Sequence, residues 1–240
     1  ATGKSAYLCV TSIVDNPSIT DSRLVNMKVK DAIVDRIREK TSRRPDSGPE
    51  KNNAVIHLYW KNDQALLYID TSGERLSMRG YRKMPLQAPM QETLAAAVIM
   101  ATGWRGNSAL VNPMCGSGTL AIEAALMALG RAPGLARANF GFMHIKGFTE
   151  SLWQETRARA REAARKALPF KIIASDIDDS AVKAAKINAR AAGVDQAINF
   201  ITCSFAETPL PYGRSVIILN PPYGERLDAR EDKPTRDFNK

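Results

Sequence analysis

Asn220-Pro221-Pro222-Tyr223 follows directly on the apolar run Ser215-Val216-Ile217-Ile218-Leu219, and these residue types suit the grip of a planar base bearing an exocyclic amine. The Asn220 side-chain oxygen and the Pro221 carbonyl can both accept hydrogen bonds from an NH2 group. Each proline, Pro221 and Pro222, fixes φ at about −65° and removes a competing N–H. Tyr223 offers a face for stacking, at about 1–3 kcal/mol per base. The competing reading is a plain turn, because Asn-Pro dipeptides commonly open turns.

Two further clusters change that balance. Ala109-Leu110-Val111 reads as a short strand, followed by Asn112-Pro113-Met114-Cys115-Gly116-Ser117-Gly118 and a helical run from Thr119 to Leu129 that Gly130 closes. A glycine turn at a helix N-terminus lets a small polar ligand approach bare backbone. Only one G-x-G is present and no third glycine follows at the dinucleotide spacing, so the turn does not read as a pyrophosphate site. Lys171-Ile172-Ile173-Ala174 is the next probable strand, and its tip carries Ser175-Asp176-Ile177-Asp178. Asp176 stands sixty positions after Gly116, where the dinucleotide fingerprint puts its acid about twenty on. A carboxylate there can accept from both hydroxyls of a ribose. Alternatively Asp176, Asp178 and Asp179 only cap the helix from Ser180 to Ala192, which ends at Gly193. The expected division is that Asp178 or Asp179 caps and Asp176 binds.

With these residues in view, the chain resembles the class I S-adenosylmethionine-dependent methyltransferases that act on exocyclic amines. More narrowly, it is similar to the THUMP-containing ribosomal RNA guanine-N2 methyltransferases of bacteria. The likeness is carried in order by Lys28 to Asp35, Asp70 to Glu74, Arg79-Gly80-Tyr81-Arg82, Gln91 to Ala97, Asn112 to Thr119, Arg131 to Gly134 and Asn220 to Arg226. It implies S-adenosyl-L-methionine as cofactor, with Asn112, Cys115, Gly116, Ser117, Gly118 and Thr119 at its methionine end. The stretch from Pro89 to Glu92 would close over that end, while Asp176 and Ile177 meet the nucleoside. Where such enzymes often present an acid to the adenine, this chain has Cys203-Ser204-Phe205, so Ser204 and Phe205 are the candidates there. Asn220, Pro221, Pro222 and Tyr223 would receive the target amine, guanine N2 of 23S ribosomal RNA. Adenine N6 in RNA or DNA, and guanine N2 of transfer RNA, are the alternatives.

The elements that must position these residues form an α/β pattern in two parts. Residues 1–84 read as a partial α+β THUMP-like RNA-binding domain with its connector: strands Tyr7 to Ile13, Val55 to Tyr59 and Gln64 to Ile69, a helix Val29 to Arg38, and a loop from Thr41 to Asn53. Arg79, Arg82 and Lys83 of the connector either contact phosphates or are solvated charges. Residues 85–240 read as the methyltransferase catalytic domain, a Rossmann-like doubly wound sheet whose strands alternate with helices. Ligands of such sheets bind beyond the carboxyl ends of the strands, and Cys115, Asp176, Ser204 and Asn220 all fall there. Between them a helix from Ser151 to Leu168 opens on a Ser151-x-x-Gln154 capping box, with Arg157, Arg161 and Arg165 on one face. Phe140, Phe142, Phe148 and Trp153 are expected to form a satellite core. The resemblance implies a longer N-terminal region and further C-terminal strands, so the sheet is expected to be truncated after its fourth strand. Such a piece is expected to bind cofactor weakly and methylate poorly.

Composition narrows the classes. The chain has 240 residues, 44% hydrophobic, with a net charge of +9 and a pI of about 9.6, which points to a polyanionic partner such as structured RNA. The first 84 residues hold 15 Lys and Arg against 10 acids, and the remaining 156 hold 19 against 15, so the excess is denser in the leading part. A generally basic soluble surface is the blander account. Three scattered cysteines and two isolated histidines give neither a disulfide framework nor a metal set. No uninterrupted apolar run of membrane-spanning length and no signal peptide is visible, so a cytoplasmic protein is expected. A dehydrogenase would need the missing glycine and an earlier acid, and a non-catalytic RNA-binding module would keep the basic surface alone.

Overall fold

The computed structural model describes residues 7–19, 21–86 and 89–221. The chain divides into two compact units, one of Ala1–Leu76 with Arg137–Gln154 and one of Ser77–Ala136 with Glu155–Lys240. Residues 137–154 therefore group with the leading unit, not with the sheet that flanks them in sequence.

The leading unit holds β1 (Tyr7–Asp15), α1 (Ser22–Thr41), β2 (Asp46–Ser47), β3 (Ala54–Lys61) and β4 (Gln64–Asp70), with sheet order β2-β1-β3-β4. β1 runs parallel to β3 from Leu8↔Ala54 to Asp15↔Lys61, and β3 turns back antiparallel into β4. Helix α1 starts earlier than its apolar periodicity suggests, because the Asp21 carboxylate accepts from the Arg23 N–H at 2.8 Å and caps it. The expected loop after α1 contains the two-residue strand β2, parallel to β1. No side-chain alternation can announce so short a pairing. Leu8, Cys9, Val25, Val34, Val55 and Leu58 make this unit's buried core.

Phe140, Phe142, Phe148 and Trp153 do pack as a cluster, with ring centroids 5.1–5.9 Å apart. Arg137 lies over the Phe140 ring at 4.4 Å and donates to the Ser72 and Glu74 carbonyls. Phe142 N–H donates to Thr71 O at 2.9 Å. A Cβ at Gly141 would collide with the Asp70 carbonyl, so only glycine lets these segments approach.

The second unit holds α2 (Glu92–Ala101), β5 (Ala109–Asn112), α3 (Thr119–Ala128), most of α4 (Glu150–Glu162), β6 (Ile172–Asp176), α5 (Asp179–Ala192), β7 (Ile198–Thr202) and β8 (Ser215–Ile217). Among the described residues its strands are all parallel, in the order β7-β6-β5-β8. The chain moves one way from β5 to β7 and then returns to the other side of β5, which creates the switch point where such sheets bind ligands. Leu110 and Val111 are wholly buried, as central parallel strands require. Helix α3, rich in alanine, is buried almost all round. Truncating Leu110 to Ala would cost about 2–5 kcal/mol.

Helix α4 departs from its sequence reading. It begins at Glu150, so Ser151 lies inside it, and Gln154 donates to Glu150 instead of closing a box with Ser151. It ends at Glu162, which leaves Arg165 beyond the helix and breaks the expected stripe. Arg157 is half-buried and donates to Leu135 O at 3.0 Å.

Candidate functional site

The tips of β5, β6 and β8 build the site. Asn112, fully buried at the end of β5, donates through Nδ2 to Ile218 O at 2.9 Å and to Pro113 O at 3.2 Å. Ile218 N–H in turn donates to Val111 O at 2.9 Å, so the segment leading to Asn220 is stitched to β5 beyond the end of β8. Asn112 Oδ1 has no hydrogen-bond partner among the described residues.

After Pro113 the backbone curls. Met114, Gly116 and Gly118 take φ of 50°, 54° and 83°, and such alternation of hand makes a concave stretch of main chain. Met114 holds a conformation that non-glycine residues rarely adopt. The turn is pinned to β6: Cys115 N–H donates to Ser175 O, and Gly116 N–H donates to Asp176 Oδ2, each at 2.9 Å. The other Asp176 oxygen accepts from Asp178 N–H at 3.0 Å. Asp178 itself caps α5 by accepting from Ser180 N–H at 2.9 Å. The Asp178 and Asp176 carboxylates thus divide their work, Asp178 to the helix and Asp176 to the glycine turn, while Asp179 pairs with Lys183 at 2.7 Å.

A Cβ added at Gly116 would meet nothing within 4 Å, so the space before the turn is open. At Gly118 it would meet Ala185 Cβ at 2.9 Å, so this second glycine serves close packing of the turn on α5. Burial pushes the Cys115 thiol well up, and Asp176 adds to it. A neutral thiol is no nucleophile.

In front of the turn lies a cavity of about 120 Å³, and six of the residues expected from sequence line it: Pro89, Cys115, Gly116, Ser117, Thr119 and Asn220. Leu86, Met90, Met114 and Leu120 complete the wall. Met90 falls in the stretch from Pro89 to Glu92 expected to close there, whereas nothing in the chemistry of Leu86, Met114 and Leu120 singles them out in a sequence. Asn112 stands behind the wall as a stitch, and Asp176 reaches it through Gly116. Ile177 is 60% exposed just past Asp176. Glu92 is buried and does not line the cavity; it pairs with Arg82 at 3.4 Å. Ser204 and Phe205 do not line it either. Ser204 caps the short turn Phe205–Glu207, accepting from the Glu207 N–H while its own N–H donates to the Glu207 carboxylate. Pro221 is half-buried beside Asn220. Pro222 and Tyr223 lie outside the described residues.

The connector arginines correct both readings of them. Arg79, 9% exposed, pairs with the fully buried Glu123 at 2.7 Å, and Tyr81 donates to the same carboxylate at 2.8 Å. Arg79 and Arg82 are internal ion-pair partners, neither phosphate contacts nor solvated linker charges.

Residues 79–235 match the model of the RMKL-like methyltransferase domain. The chain belongs to the RMKL-like methyltransferase domain family. Its structure is similar to that of SMU.472, a candidate methyltransferase crystallised with SAH, at 31% identity and a TM-score of 0.80, covering 98% of this chain and 61% of that one. A protein of Listeria monocytogenes described as a predicted N6-adenine-specific DNA methylase gives 34% identity and 0.80, covering 95% and 60%. The fold also extends to TrmN of Thermus thermophilus at 18% identity and 0.60, covering 92% and 53%. The chain thus spans about three fifths of the length of the first two. His57 and His144 hydrogen-bond to Thr11 and Asn139, and among the described residues no cluster could hold a metal ion. Among the same residues no helix is long and apolar enough to cross a membrane.

Proposed function

We propose that this chain carries out S-adenosylmethionine-dependent methyl transfer to an exocyclic amine of a nucleobase, with guanine N2 of structured ribosomal RNA as the target. The observation that carries this is that Asn220 and the Gly116 turn line one cavity. The open space before Gly116 fits a ligand that approaches bare backbone. Ligand pockets for whole cofactors run to about 300–1,000 Å³, so the smaller cavity suits the methionine end alone. Gly116, Ser117, Thr119, Pro89 and Met90 would hold that end. Asp176 would take the ribose hydroxyls, because each of its oxygens keeps lone-pair capacity beyond its one backbone bond.

When bound, the cofactor supplies an electrophilic methyl group on a sulfonium. The chain's own residues act on the other reactant. An exocyclic amine is a weak nucleophile because its lone pair is delocalised into the ring. Asn220 Oδ1 and the Pro221 carbonyl, accepting hydrogen bonds from its two N–H groups, would pyramidalise the nitrogen and aim it. Proximity and orientation supply the rate, and the proton leaves to solvent afterwards. A structured RNA must present the base unstacked, and the chain's net charge of +9 is proposed to favour that polyanion.

The description of the Listeria relative favours a second reading, transfer to adenine N6, on the same amine-gripping logic. Labelled methyl incorporation into ribosomal RNA, transfer RNA and DNA, with nucleoside analysis, separates the two. N2-methylguanine in ribosomal RNA supports the first reading and N6-methyladenine the second. No incorporation by protein that binds cofactor sinks both.

A further inference from the structure

Asn188 sits mid-way along α5 and is 1% exposed. Asparagine is a poor choice inside a helix, because its amide competes for backbone hydrogen bonds, so its place there needs a tertiary reason. A buried amide must also find partners. Here every capacity is spent on backbone from two distant segments. Oδ1 accepts from the N–H groups of Lys83 and Met84, at 2.8 and 2.9 Å. Nδ2 donates to Met84 O at 3.0 Å and to Ser117 O at 3.1 Å.

Arg82, the residue just before this anchor, makes a matching set. Its Nη2 donates to Met90 O at 2.7 Å and to Thr119 Oγ1 at 3.3 Å, and it lies 3.4 Å from Glu92 Oε1. Ser117, Thr119 and Met90 all line the cavity, whereas Asn188 and Arg82 do not. The stretch that begins at Arg82 is therefore fastened at its near end to the glycine turn and α5, and at its far end to the start of α2. Leu86, Pro89 and Met90, on this stretch, line the same cavity as Ser117 and Thr119.

We propose that Asn188 and Arg82 are positioning residues for the ligand cavity: they fasten residues 82–86 and 89–92 beside the glycine turn and so set the gap that the methionine end of the cofactor must enter. This rests on the reading of that cavity as the cofactor site. Asn188→Asp separates the two halves of the anchor. It keeps both acceptor bonds to Lys83 and Met84, but sets an oxygen against the Ser117 and Met84 carbonyls. Arg82→Lys keeps a positive charge near Glu92, yet its ammonium ends one bond short of the Nη2 position from which Arg82 reaches both Met90 and Thr119.

The test uses the full chain and two readouts, calorimetric titration with SAH and hydrogen exchange of the ligand-free protein. In both variants the dissociation constant should rise about tenfold or more, as expected when a wall shifts by a fraction of its contact distance. Exchange should quicken at Leu86, Met90 and Ser117 while Val111 and Ala174 stay protected. Folded variants with parental affinity and parental exchange overturn the proposal. Failure of the parent to bind SAH overturns the cofactor reading instead, and exchange at the three wall residues then decides whether the fastening exists. If Asn188→Asp does not fold, Arg82→Lys read by the same exchange pattern decides.

Discussion

The Gly116 N–H donates to Asp176 Oδ2 at 2.9 Å, joining two residues sixty positions apart. The glycine turn after β5 and the acid at the tip of β6 are therefore a single device, in which the carboxylate holds the turn and remains able to accept from a ligand. Replacing Asp176 by Asn removes a charged acceptor, and hydrogen bonds to charged groups are worth about 1.5–3 kcal/mol. The variant should lose at least about tenfold in affinity for SAH by calorimetry. An unchanged dissociation constant would remove Asp176 from the site.

The two glycines of the turn should fail differently when changed to alanine. At Gly118 a Cβ would meet Ala185 Cβ at 2.9 Å with φ at 83°, so Gly118→Ala should lower unfolding stability by about 1–3 kcal/mol. At Gly116 the Cβ meets open space, so the backbone penalty is only about 1–2 kcal/mol. That methyl group enters the room a ligand needs, however. Gly116→Ala should thus lose proportionally more SAH affinity than stability, with melting curves and calorimetry as the paired measurements.

Asn220→Ala should uncouple binding from chemistry. If Asn220 aims the amine, its loss should lower methyl incorporation by about 10²-fold or more. SAH affinity should change far less, because the glycine turn and the Pro89–Met90 wall remain. Single-turnover assays at saturating cofactor read the first quantity directly. A variant that transfers methyl at the parental rate would show that another group grips the base.

How much of this could be read from sequence depends on the range of each interaction. The strand–turn–helix from Ala109 to Leu129 was legible, because the apolar run, the glycines and the helix signal lie side by side. So was the capping of α5, a contact between neighbours Asp178 and Ser180. The capping box expected at Ser151 failed since the helix already starts at Glu150, with Trp153 N–H donating to Thr149 O, and a two-residue shift of the cap changes which side chain faces the free N–H groups. The connector arginines misled for a different reason. Whether Arg79 is solvated or buried is decided by Glu123, and whether Arg82 is bound is decided by Glu92, Met90 and Thr119. Asn188 gave only one hint, an amide inside an alanine-rich helix, and its partners lie about a hundred and about seventy positions away. Ser204 was read by its place at a strand tip, where local chemistry instead made it a cap.

The buried cluster of Arg79, Tyr81 and Glu123 should leave a signature in stability against pH. Burial pushes the Glu123 carboxyl up to about 7 from its ordinary 4.5, against the opposing pull of Arg79 and Tyr81. The folded chain then holds this proton more tightly than the unfolded chain does. Between pH 4.5 and 7 the native state binds more protons at this site, so its contribution is complete below 4.5 and declines as pH rises through 7. The full span corresponds to about 3 kcal/mol. Glu123→Gln cannot ionise and should lack that decline, whatever constant offset it introduces. Urea unfolding of parent and variant at half-unit steps across this range should therefore give curves that diverge by a slope confined to the window. Two profiles that run parallel would mean that Glu123 stays ionised throughout, with the Arg79 pair at 2.7 Å outweighing the cost of burial.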